Sequence, residues 1–84
     1  MSRTLIHYIT SLTDLPAVGK SILVTFGKTD ALIQENERFI IFVNPEPLSD
    51  ELAYWRFRIA VESAKLLARR EGIEAIYLCA SLVR

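Results

Sequence analysis

The stretch from Asp50 to Glu71 constrains this chain more than any other. Pro45 and Pro47 stop whatever precedes it, because each proline removes a backbone donor and favours an extended connection. Ser49 or Asp50 supplies an N-cap, and Asp50 and Glu51 suit the positive end of a helix dipole. Gly72 stands where a left-handed residue ends a helix, with Arg69 and Arg70 in the last turn. One helix over Asp50–Glu71 is therefore predicted.

Its apolar surface is wider than one sheet requires. With Leu52 at zero and about 100° per residue, Arg58, Glu62, Lys65 and Arg69 form a polar stripe at roughly 220–280°. Alanines 53, 60, 64 and 68, with Tyr54, Phe57, Val61 and Leu67, span roughly 60–200°. Trp55, Leu66, Ile59 and Leu52 span roughly 300–360°, with Arg56, Ser63 and Arg70 between the two arcs. A helix resting on one sheet needs an arc of only about 100° or slightly more. The alanine-rich arc is expected to dock, since small side chains permit close approach. The Trp55 arc then needs another cover. Either the Ser11–Lys20 loop or the N-terminal strand folds over it, or it stays exposed and binds another chain. Trp and Arg are the types most enriched at interface hot spots. Trp55, Ile59, Leu66, Arg56 and Arg70 are accordingly the candidate partner-binding residues.

Before the helix lie four strand-like segments. Thr4–Thr10 is rich in β-branched and aromatic residues. Ser11–Lys20 carries Asp14, Pro16 and Gly19 and reads as a loop with room for one helical turn. Ser21–Phe26 places Ile22, Val24 and Phe26 on one face and Leu23 and Thr25 on the other. Ala31–Gln34 and Arg38–Val43 flank Glu35-Asn36-Glu37, a hairpin loop in which Asn36 takes the left-handed conformation. The second arm is apolar on both faces, as a central or doubly covered strand is. Glu74–Val83 reads as a last, buried strand. The expected fold is α+β: an antiparallel sheet of four to five strands packed by one long amphipathic helix, in the order β-β-β-β-α-β. Phe39, Ile41, Val61, Ala64 and Leu78 are the predicted core.

At 84 residues the chain has room for one domain, residues 1–84, and not for a barrel or a full dinucleotide-binding fold. Cys79, the single cysteine, lies in an apolar run and reads as an inert core thiol in a reducing cytoplasm. Met1–His7 shows neither a long apolar stretch nor a cleavage site, so no signal peptide is expected. No window is apolar enough for a membrane span.

Several motifs tempt and fail. Asp14-Leu15-Pro16-Ala17-Val18-Gly19-Lys20-Ser21 ends like a phosphate-binding loop, yet Asp14 occupies the first glycine position. A helix should also follow Ser21, where the pattern is that of a strand. His7, the only histidine, has no cysteine or carboxylate at ligand spacing, so no metal is expected. Glu35/Glu37 and Asp50/Glu51 are paired acids at a hairpin and a helix start, where acids serve structure. No catalytic set, cofactor site or metal site is singled out.

Charge is balanced overall, ten bases against ten acids, but unevenly placed. Asp30, Glu35, Glu37, Glu46, Asp50 and Glu51 face only Arg38 within residues 30–51. Arg56, Arg58, Lys65, Arg69 and Arg70 face only Glu62 within residues 56–70. Such polarity steers and orients a partner. The expected function is a non-enzymatic protein-binding module, of the size class of phage and mobile-element inhibitors such as anti-CRISPR proteins. The alternatives are nucleic-acid or ribonucleoprotein binding through Arg58, Lys65 and Arg69, or a homodimer that uses its own apolar strip. Zero net charge weakens the nucleic-acid alternative.

Overall fold

The computed structural model describes residues 4–16 and 19–80. Strands β1 (Leu5–Tyr8), β2 (Ser21–Phe26), β3 (Ala31–Glu35) and β4 (Arg38–Val43) precede helix α1 (Asp50–Glu71), and β5 (Ala75–Cys79) follows it. A single 3-10 turn, Leu12–Asp14, lies between β1 and β2. All five strands form one sheet in the order β1-β5-β2-β4-β3.

The expectation of an antiparallel sheet is corrected. β1, β5, β2 and β4 are mutually parallel, and only the β3–β4 hairpin is antiparallel. The strands therefore do not lie side by side in chain order. A parallel pair cannot be closed by a tight turn and needs a crossover of a dozen or so residues. The chain has two: the connection from β1 to β2, and α1. Each skips one strand, β5 in the first case and β2 in the second. They cross the sheet in opposite directions, so the right-handed crossover rule sends them to opposite faces. Consistent with this, Pro16 O accepts a hydrogen bond from Arg38 Nη2. Arg38 is in register with Ser21, whose side chain alternates away from the helix-facing Ile22.

The helix caps and the left-handed Asn36 hold, but the hairpin loop is two residues, Asn36-Glu37, rather than three, because Glu35 stays in β3 and pairs with Arg38. Asn36 is left-handed at φ 58° in the β3–β4 turn, and Gly72 ends α1 at φ 68°. Leu52 N donates to Ser49 Oγ at 3.3 Å, the N-cap bond. Ile73 N donates to Ala68 O at 2.9 Å, which satisfies one of the last helical carbonyls. The last strand is shorter than predicted and stops at Cys79; residues 81–84, including Val83, lie outside the described residues.

The core lies between α1 and the middle of the sheet. Ile22, Val24, Ile76 and Leu78 meet Ala53, Phe57, Val61, Ala64, Leu67 and Ala68. Leu23, Thr25 and Ser21 are buried too, although they face away from α1. In register beside them stand Tyr77, Cys79, Ile40, Phe42 and Arg38. Of the predicted core, Val61, Ala64 and Leu78 are buried, while Phe39 and Ile41 are only partly so. The reason is position: β4 lies one strand nearer the β3 edge, where α1 buries Val43 but leaves Phe39 and Ile41 at the margin of the core, beside exposed Leu32.

Ala64 is fully buried against the sheet. Ala64→Arg places an unpaired charge there and should lower stability by about 3–5 kcal/mol or prevent folding. Thermal melts followed by circular dichroism check this. A midpoint within about 2 °C of wild type would mean that this face of α1 is not the packed one.

Candidate functional site

The same helical phase that buries the alanines decides what faces water. The buried positions of α1 centre near 120° on the wheel used above, so its solvent pole lies near 300°. Trp55 and Leu66 sit at that pole, with Ile59 and Leu52 beside it. Their exposures are 55% for Trp55, 64% for Leu66, 67% for Ile59 and 53% for Leu52. Among the described residues none covers them, and Pro16 of the connection expected to do so is bonded to Arg38 on the opposite face of the sheet. Of the two readings open at the level of sequence, the exposed strip is the one the fold contains.

The side chains around the strip are already engaged within the helix. Arg58 lies over the indole of Trp55, its guanidinium carbon 5.2 Å from the ring centroid. This is a cation–π contact, worth about 0.5–1 kcal/mol at an exposed site. Ser63 turns its hydroxyl back to Ile59 O at 3.3 Å, so the strip carries no dangling hydroxyl between Ile59 and Leu66. Lys65 Nζ donates to Glu62 Oε2 at 2.9 Å.

Arg56 and Arg70, expected beside Trp55, are otherwise engaged. Arg56 Nη1 donates to Asn44 O at 3.2 Å and lies 3.7 Å from Asp30 Oδ2. Asp30 in turn accepts from Asn44 N at 2.7 Å. Arg56 thus ties the first half of α1 to the loops beside β3 and β4, which is where the acidic segment and the basic helix meet. Arg70 Nε lies 3.5 Å from Glu71 Oε2. The residue beside Trp55 is Arg58, which sequence reasoning had placed in the polar stripe.

Lys65 and Arg69 line an open groove of about 420 Å³ with Thr4, Ile6, Ala68, Gly72 and Ile73, between β1 and the end of α1. Arg58 does not line it. The three cations of the nucleic-acid alternative share one flank of α1, and two of their neighbours already engage them: Trp55 lies under Arg58, and Glu62 pairs with Lys65.

The remaining candidates fall where strand geometry puts them. His7 stacks on Tyr77, ring centroids 5.0 Å apart and 19° between planes, on the face away from α1. Cys79 is a buried free thiol. Ser21 begins β2 rather than a helix; Ala17 and Val18 of the loop that resembles a phosphate-binding motif lie outside the described residues. Among the described residues, no group of three His, Cys, Asp or Glu side chains is placed to hold a metal ion. No described helix is long and apolar enough to cross a membrane.

Sequence reasoning missed the exposed apolar residues at the sheet edges: Leu5 and Tyr8 on β1, Leu32 and Ile33 on β3. Their alternation resembles that of inner strands. Only the strand order reveals that β1 and β3 are the edges. Comparison with family models, curated proteins and solved structures finds no match for this chain.

Exposed Trp55 and buried Phe57 are two residues apart and should respond oppositely to truncation. Trp55→Ala should cost less than about 1 kcal/mol in the isolated chain, as surface substitutions do. Phe57→Ala should cost about 3–5 kcal/mol. Denaturant unfolding followed by circular dichroism measures both. A Trp55→Ala loss as large as that of Phe57→Ala would show that the strip is covered.

Proposed function

We propose that this protein is a non-enzymatic protein-binding module whose docking surface is the outward strip of α1. The carrying observation is the set Leu52, Trp55, Ile59 and Leu66, each more than half exposed, at the pole opposite the helix's own core. Scattered exposed apolar residues are ordinary, but four large ones aligned along one side of a single helix favour an interaction site. Trp55 is its anchor, with Arg58 holding the ring, a pairing of the two types most often found at hot spots. Helix-in-groove recognition uses this presentation, apolar side chains at spacings of three, four and seven.

The module works in the cytoplasm, where its single thiol stays reduced. Its size class is that of the small inhibitors of phages and mobile elements, anti-CRISPR proteins among them. A compact body carrying one apolar helix suits the masking of a partner's surface. Nucleic-acid binding has less support: Arg58 is committed to Trp55, Lys65 to Glu62, and the chain has no excess positive charge to release counterions.

The test uses the tagged chain as bait in lysate, with and without nuclease. A captured protein should persist after nuclease. In titration against that protein once it is purified, Trp55→Ala should weaken binding by at least about thirtyfold, the equivalent of a hot-spot loss of about 2 kcal/mol. Capture that disappears with nuclease, or that survives both Trp55→Ala and Ile59→Asp unchanged, would overturn the proposal.

A further inference from the structure

We infer that the occupant of this strip is a second copy of the chain, with the two α1 helices antiparallel about a twofold axis at Ile59. The inference rests on the docking reading above and adds that, in the free protein, the strip pairs with itself until a foreign partner displaces the second copy.

The first argument is spacing. Leu52 and Leu66 lie seven residues to either side of Ile59, about 10.5 Å each way along the helix axis. A twofold axis at Ile59 sets Leu52 against the partner's Leu66 and Ile59 against its own copy. A seven-residue interval keeps side chains on the seam between two packed helices. The strip is thus complementary to itself under the one operation that makes a closed dimer. Ser63, on the seam's far side from Trp55, has its hydroxyl satisfied by Ile59 O and asks nothing of water there.

The second argument is charge. α1 carries Asp50 and Glu51 in its first turn and Arg69 and Arg70, followed by Glu71, in its last, so its start is net negative and its end net positive. A parallel pair sets like ends together; an antiparallel pair sets unlike ends together and opposes the two helix dipoles. The detail agrees. At about 100° per residue, Glu51, Arg58, Glu62, Lys65 and Arg69 all fall on one flank of the strip. An antiparallel twofold matches each flank with itself. Glu51 then lies alongside the partner's Lys65 and Arg69, and Glu62 near the partner's Arg58. Complementary charge at the rim of an apolar seam fixes orientation and register.

Light scattering on the purified chain, up to millimolar protein, is the first measurement. The expected mass is twice that of the chain, falling to one chain for Ile59→Asp, which puts two like charges on the axis. Ile59 is exposed, so that variant should keep its circular dichroism spectrum and melting midpoint. Single cysteines then fix the direction, and buried Cys79 can stay in place. Under mild oxidation Ile59→Cys should cross-link to itself. Leu52→Cys should cross-link only when mixed with Leu66→Cys. Leu52→Cys closing on itself as readily as Ile59→Cys would overturn the antiparallel arrangement. A dimer that survives Ile59→Asp would place the contact elsewhere and overturn the inference. A wild-type monomer at every concentration would overturn self-pairing alone, since the docking reading is judged separately by the effect of Trp55→Ala on capture.

Discussion

Close packing of the alanine face of α1 on Ile22, Val24 and Ile76 is the contact on which the rest of this structure depends. Ala53, Ala64 and Ala68 are at or near zero exposure, so the helix axis lies as near the sheet as side chains permit. Small residues surround Phe57 near the centre of this face and leave Val61 and Leu67 to fill its two flanks. That contact sets the rotation of the helix about its axis. Once the rotation is set, Trp55, Ile59 and Leu66 have nowhere to point but outward. An exposed apolar strip on the outside of α1 is thus the geometric consequence of how its inside is packed.

Electrostatics secures the same arrangement at the ends. Arg56 joins Asp30 and the carbonyl of Asn44, bringing the acidic segment onto the start of the helix. An exposed pair of this kind contributes little to stability, about 0–1 kcal/mol. Its effect is positional, since it removes Arg56 from the strip. Arg58 takes the place beside Trp55 instead, one turn closer to the polar stripe. The strip is left with an apolar centre and a charged flank, the pattern of an interface core and rim.

The face away from α1 shows a different economy. Tyr77 stacks on His7, Arg38 reaches Ser21 and Pro16, and Leu23 is buried between Tyr77 and Ile40. Right-handed crossover chirality favours this side for the connection between β1 and β2, and the bond from Arg38 to Pro16 O holds its described part there, away from the outer side of α1.

The sequence by itself determined everything that depends on near neighbours. Helical period marked Asp50–Glu71, and Ser49 and Gly72 marked its ends, because capping is satisfied within a turn of the chain. Asn36 marked the hairpin, because few residues accept its positive φ. The same period separated the alanine arc from the Trp55 arc, so the members of the strip were legible as a set. Tertiary structure alone decided strand direction and strand order. The alternation of Ile22, Val24 and Phe26 is the same in a parallel as in an antiparallel sheet, and pairing partners lie far apart in the chain. It also decided which apolar arc stays wet. Both arcs are hydrophobic; small side chains select the alanine arc for the sheet, but whether the other arc gains a cover depends on the face to which a right-handed connection returns.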